Sequence, residues 1–102
     1  MQKTVRDFLT KYRLWSDEET RYIDLVSEVG ELGKAILVST NYGKKNIARN
    51  DLKDDLIIDE VGDCIFSLLA LCNELDIDAG EALDISLSKY ESRFTQKGDI
   101  GS

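Results

Sequence analysis

Two short segments of this 102-residue chain repeat one pattern of acids, Glu28-Val29-Gly30-Glu31 and Glu60-Val61-Gly62-Asp63. On a helix, residues three apart share a face, so each segment sets two carboxylates on neighbouring turns. Like charges so placed repel, and each segment also carries a mid-helix glycine that costs about 1 kcal/mol against alanine. A divalent cation would offset the repulsion, and the glycines would let two helices approach closely enough to share it. Oxygen ligands without histidine or thiolate suit Mg²⁺, with Mn²⁺ as its substitute, rather than zinc. Because Mg²⁺ typically binds a few carboxylates together with substrate phosphates, the donor set points to a phosphorylated substrate. The plainer account is a set of solvated surface acids, and Glu28 and Glu31 do lie opposite the apolar stripe of their helix. Asp63 resists that account. It is the sole charged residue between Val61 and Cys72, and an ionised group embedded there needs a partner or a metal.

A second group is basic. Lys89 and Arg93 stand four apart, with Lys97 continuing the row. They could hold phosphate oxygens, the arginine as a fork and the lysine as a point charge, or simply complement the dipole at a helix C-terminus. Lys34, three residues after Glu31, carries the same two readings. Lys44 and Lys45 follow Gly43, but the sequence contains no G-x-x-x-x-G-K-[ST] phosphate loop. Trp15, the single tryptophan, precedes the second helix and could either stack on a nucleobase or close one end of a helical core.

Several chemistries are excluded. The chain has no histidine, which removes Ser-His-Asp and Cys-His catalysis and His-ligated zinc. Cys64 and Cys72 fall eight apart on one helix, about 12 Å along its axis, too far for a disulfide and consistent with buried thiols in a reducing compartment. With 13 basic against 20 acidic residues the net charge is −7, which disfavours nucleic acid as a partner. No apolar run reaches the ~20 residues of a membrane span, and the first fifteen residues lack the apolar stretch of a signal peptide, so a cytoplasmic protein without membrane association is expected.

The elements that must position these groups read as helices throughout. Proline is absent, and apolar residues recur at spacings of three and four. Val5, Phe8, Leu9 and Tyr12 mark a first helix. Ser16 with Glu19 forms a capping box that opens a second, running to about Val38. Residues 39–50 read as a polar connecting loop. Asp51 with Asp54 would cap a third helix over roughly 52–75, apolar almost all round in its middle and therefore central. Asp78 with Glu81 would open a fourth, with Leu83, Leu87, Tyr90 and Phe94 turned inward, ahead of a mobile tail over 95–102. The expected fold is a single all-α domain over 1–102, a four-helix bundle. Its core is thin for a monomer, so apolar faces shared in a homodimer or homotetramer are the economical solution.

The segments SEVGELGKAIL at 27–37, DEVGDCIFSLLALCNELDID at 59–78 and LSKYESRFTQKGDIGS at 87–102 resemble the MazG-like nucleotide pyrophosphohydrolases of the all-α NTP pyrophosphatase superfamily. The family pattern is E-x-x-E, a spacer, then E-x-x-D, and the likeness extends from Trp15 onward. It implies that Glu28, Glu31, Glu60 and Asp63 hold Mg²⁺ and that Lys89 and Arg93 contact a triphosphate. The activity it implies is hydrolysis of a nucleoside triphosphate to the monophosphate and pyrophosphate, often as house-cleaning of unwanted nucleotides. Glu28 or Glu31 would orient or deprotonate the attacking water. Ser27 departs from the pattern, since many members carry a further glutamate there, and this bears on the number of metal ions and on how the water is held. Two other readings are a phosphoribosyl-ATP pyrophosphatase, of similar size and acidic helices, and a non-catalytic helical oligomerisation module.

Overall fold

The computed structural model describes residues 1–40 and 55–97, and among them every regular element is a helix. The order is α1 (Gln2–Lys11), α2 (Glu18–Ser39), α3 (Asp55–Glu74) and α4 (Ala79–Lys97). The 41–54 stretch, which contains most of the expected connecting loop and the expected Asp51–Asp54 cap, lies outside the described residues. So does 98–102 of the expected tail, whereas Thr95, Gln96 and Lys97 belong to α4.

The helix ends show how the chain is punctuated without proline. Helix α2 is capped by Asp17, whose carboxylate accepts from the Thr20 N–H at 2.8 Å, and Glu18 and Glu19 then complement the positive end of the helix. The expected cap at Ser16 is thus displaced by one residue, because the stronger acceptor follows immediately. Hydrogen bonding from Thr20, first from its side chain and then from its backbone N–H, holds the Asp17 carboxyl below its ordinary range. At α4, Asp78 accepts from the Glu81 N–H at 2.9 Å, as its spacing implies.

Helices α1 and α3 end alike. After α1, Arg13 takes a left-handed conformation (φ 54°), with the Leu14 N–H on the Leu9 carbonyl at 2.9 Å and the Arg13 N–H on Thr10 at 3.2 Å. After α3, Asp76 (φ 55°) repeats this, with Ile77 on Cys72 at 2.9 Å and Asp76 on Asn73 at 3.3 Å. Both are Schellman closures built without the usual glycine.

Helix α3 is the centre, as its all-round apolar middle implies. Helix α2 packs along it, and α1 lies against it through Phe8, whose ring meets Phe66 edge-on at 5.8 Å. Glu28 of α2 approaches Glu60 and Asp63, while Arg21 borders the same groove as Ala70. Residue numbers therefore rise along one helix as they fall along the other, and the pair is antiparallel. The buried apolar residues among those described are Ala35, Leu69 and Ala70, a core too small to anchor a fourth helix.

Helix α4 accordingly packs along none of the other three. Leu83, Leu87 and Phe94 are 59%, 54% and 55% exposed, and Tyr90 is also exposed, which corrects the expectation that all four turn inward. The physical reason is geometric. After the α3–α4 turn, α4 leaves the hairpin instead of folding back, so its apolar stripe finds no helix to cover it among the described residues.

Candidate metal centre

The two acidic segments meet across the antiparallel pair. Glu28 from α2, and Glu60 and Asp63 from α3, each offer a carboxylate oxygen, and the three lie within 4.8 Å of one another. Glu28 and Glu60 are half-buried. The acids at 60 and 63 share a face of α3 because they are three apart, and the antiparallel register brings Glu28 opposite them. Glu31, exposed one turn further along α2, stands outside this trio but adds to its field.

The electrostatics are those of a site that attracts positive charge. Burial raises the pKa of Glu28 above its ordinary 4.5, and the charges of Asp63 and Glu31, a hydrogen bond with the Asp63 carboxyl, and Asp24 add to the shift. Glu60 is raised likewise, first by burial and then by Asp63, Glu28, Asp59 and Glu31. One oxygen of Glu60, Oε2, is buried without a hydrogen-bond partner. A buried carboxylate oxygen so placed is normally satisfied, and a cation is one partner that would satisfy it. An all-carboxylate donor set fits a hard divalent ion, with Glu28, Glu60 and Asp63 as ligands and Glu31 within reach of its field. Beside the trio, burial first and then the three acids push the Cys64 thiol up, which keeps it protonated, and both Cys64 and Cys72 are free.

The glycines do something other than expected. A Cβ added at Gly30 or at Gly62 would meet nothing within 4 Å, so neither glycine lies where the two helices touch. Gly30 stands two residues after Glu28 and Gly62 two after Glu60, hence about 200° around the helix axis from those acids. The small residues that are buried stand elsewhere, Ala35 on α2 and Ser67 and Ala70 on α3.

The other residues singled out in the sequence are not gathered at the trio. Lys34 is exposed on α2. Lys89 and Arg93 ride on α4, which packs along neither acidic helix, and the Lys89 ammonium lies 5.1 Å from the ring centre of its neighbour Tyr90. Trp15, 73% exposed, borders a groove of about 210 Å³ between α1, α2 and α3, with Arg6, Arg21 and Asn73 among its walls. Arg21 is tied there to the Leu14 carbonyl and Arg6 to Asn73 Oδ1 at 3.4 Å. The sequence offered one hint of these arginines, namely isolated cations beside an aromatic, but no spacing that would single them out. Along both helices the groove lies about 10 Å from the acids, seven residues at 1.5 Å each.

The fold is thus all-helical, with two acidic helix segments converging on one cluster of carboxylates. The model of the MazG nucleotide pyrophosphohydrolase domain matches residues 17–96, and the chain belongs to that family. It is also 37% identical over 70 residues to a Bacillus subtilis (strain 168) protein described as the uncharacterized protein YpjD. That match covers 68% of this chain and 60% of the relative, so the chain spans well under two thirds of that protein's length. No solved structure matches. Among the described residues, no helix is long and apolar enough to cross a membrane.

Proposed function

We propose that the chain is a Mg²⁺-dependent nucleoside triphosphate pyrophosphohydrolase that converts an NTP or dNTP and water to the monophosphate and pyrophosphate. The observation that carries this reading is the convergence of Glu28, Glu60 and Asp63 within 4.8 Å, with Glu60 Oε2 left without a partner. Family membership over residues 17–96 supports it. Mg²⁺, or Mn²⁺ in its place, would be held by these three acids with Glu31 beside them, and when bound supplies charge neutralisation for phosphate oxygens and a more acidic water.

The chain's own residues account for the remaining requirements. Of the two acids proposed as base, Glu28 is the better placed, because it stands in the trio itself. It takes a proton from the attacking water while Glu31 orients that water, the α–β phosphoanhydride bond breaks, and pyrophosphate leaves. Lys89, Arg93 and Lys34 would hold the negative oxygens of the triphosphate. Trp15 would stack on the base at the edge of its groove, about 10 Å from the acids along the hairpin.

The reading extends to assembly and place. The exposed apolar stripe of α4, together with Val26 and Val29 on α2, supports a homodimer or homotetramer. A nucleotide substrate and free thiols suit the cytoplasm and a role in nucleotide house-cleaning, with neither nucleic acid nor membrane as partner.

The deciding experiment is a panel of canonical and modified ribo- and deoxyribonucleoside triphosphates, with and without Mg²⁺, analysed for pyrophosphate against orthophosphate. Mg²⁺-dependent release of pyrophosphate and a monophosphate is expected. Orthophosphate release would overturn the proposed bond cleavage. Activity confined to phosphoribosyl-ATP would reassign the substrate, and inertness toward both would leave a non-catalytic helical module.

A further inference from the structure

The first residue of α1 reaches across the molecule to the joint from which α4 departs. The Gln2 side chain donates from Nε2 to the Ile77 carbonyl at 2.6 Å and accepts at Oε1 from the Ala79 N–H at 2.7 Å. One primary amide thus satisfies an acceptor and a donor on either side of Asp78. The Ala79 N–H is the first of α4, one of the groups that a helix start leaves without an internal partner. Around it, Asn73 Nδ2 donates to the Gln2 carbonyl at 3.4 Å, and Arg6 donates to Asn73 Oδ1 at 3.4 Å. The turn itself is held in one conformation by left-handed Asp76.

Among the described residues α4 packs along no other helix, so this joint is placed to set its direction. The lever is long: Lys89 and Arg93 lie ten and fourteen residues beyond Ala79, about 15 and 21 Å along the axis. A 10° swing at the joint would move Arg93 by roughly 4 Å, more than a phosphate hydrogen bond tolerates. Helix α1 lies outside the family-matched residues 17–96.

We propose that Gln2 is a positioning residue: its amide locks the α3–α4 joint and thereby fixes where the Lys89–Arg93 row stands relative to the substrate phosphates. The proposal rests on the phosphate role given above to that row.

The test compares Gln2→Met, which keeps the length and removes both hydrogen bonds, with Gln2→Ala, in the full chain. Hydrogen exchange at the Ala79 amide should accelerate at least tenfold in both variants, with the α2–α3 amides unchanged. A double-mutant cycle then separates positioning from general loosening. In the wild-type background Gln2→Met should raise KM for the nucleotide, and the Kd of inorganic triphosphate with Mg²⁺, about tenfold. In a Lys89→Ala/Arg93→Ala background the same substitution should change neither by more than about twofold. Unchanged exchange at Ala79 would overturn the clamp, and an equal loss in both backgrounds would overturn the positioning role. Exchange and triphosphate binding are read without turnover, so a wild-type chain that hydrolyses no nucleotide would count against the proposed reaction and leave the clamp judged on its own.

Discussion

The α2–α3 hairpin and helix α4 are built from similar material and end up in opposite situations. The hairpin closes on itself, and its antiparallel register brings three acids from two helices into one cluster. Helix α4 also carries an apolar stripe and a charged row, yet among the described residues it packs along no other helix. In one region tertiary packing places the chemistry. In the other a single joint does, and the apolar stripe waits for a surface. A feature held by packing should tolerate no loss of its charged groups, whereas one held at a joint should degrade by degrees.

The largest expected effect lies on the hairpin. Glu60→Gln and Asp63→Asn should each lower kcat at least a thousandfold while helicity measured by circular dichroism stays intact. Near-normal turnover in either variant would remove these residues from the metal site. The same Glu60→Gln should raise the melting temperature of the metal-free protein, because it takes a crowded negative charge out of a half-buried cluster. A lower melting temperature would mean that the carboxylate supports the fold, contrary to its unpartnered oxygen.

On α4 the expected effect is smaller. Lys89→Ala or Arg93→Ala should cost about ten- to a hundredfold in kcat/KM, felt chiefly in KM, as for a charge that binds phosphate without sharing in the proton transfer. A loss as large as that of Glu60→Gln would erase the contrast between the two regions. No loss at all would return the row to its plainer role at a helix end.

Much of the hairpin could be read from sequence, and the reason is local. Acid spacing along a helix fixes which carboxylates share a face, and the lone charge of Asp63 among apolar neighbours marks where that face turns inward. Helix α4 was legible as a helix, down to its Asp78 cap, but not in its direction. That direction depends on a contact between Gln2 and Ala79, far apart in the chain, and on a left-handed Asp76 where a glycine would have announced the turn. The glycines misled in the opposite way. At Gly30 and Gly62 the residue type suggested close approach, while the 200° offset from Glu28 and Glu60, readable from spacing alone, already turned them away from those acids.

The acid trio also gives the hairpin a pH dependence. Glu28 and Glu60 have folded pKa values above the ordinary 4.5, so between 4.5 and those values the folded state binds more protons than the unfolded one. Stability therefore falls as pH rises through that window, with no penalty below 4.5 and the full penalty above the folded values. Thermal melts of the metal-free protein from pH 4 upward should show this decline, and millimolar Mg²⁺ should offset it by binding the native state. A melting temperature indifferent to Mg²⁺ at neutral pH would argue against the centre, and a metal-free stability that rises through the same window would reverse the sign assigned to the cluster.

The smallest effect asks what covers the faces left open. Gly30→Ala and Gly62→Ala gain helix propensity at positions where the added methyl meets nothing in the chain, so each should stabilise it by about 1 kcal/mol. For a domain of this size that is a rise of about 4–8 °C in melting temperature. In a homodimer or homotetramer the outer faces of α2 and α3 are candidates for burial against a second copy. There the same methyl would collide, lowering the melting temperature and shifting the sedimentation coefficient toward the monomer. Pairing the melt with sedimentation thus gives the sign a structural meaning. Stabilisation with an unchanged assembly leaves the glycine faces open to solvent and assigns assembly to the stripe of α4, whereas destabilisation with dissociation places the partner copy on the back of the acidic helices.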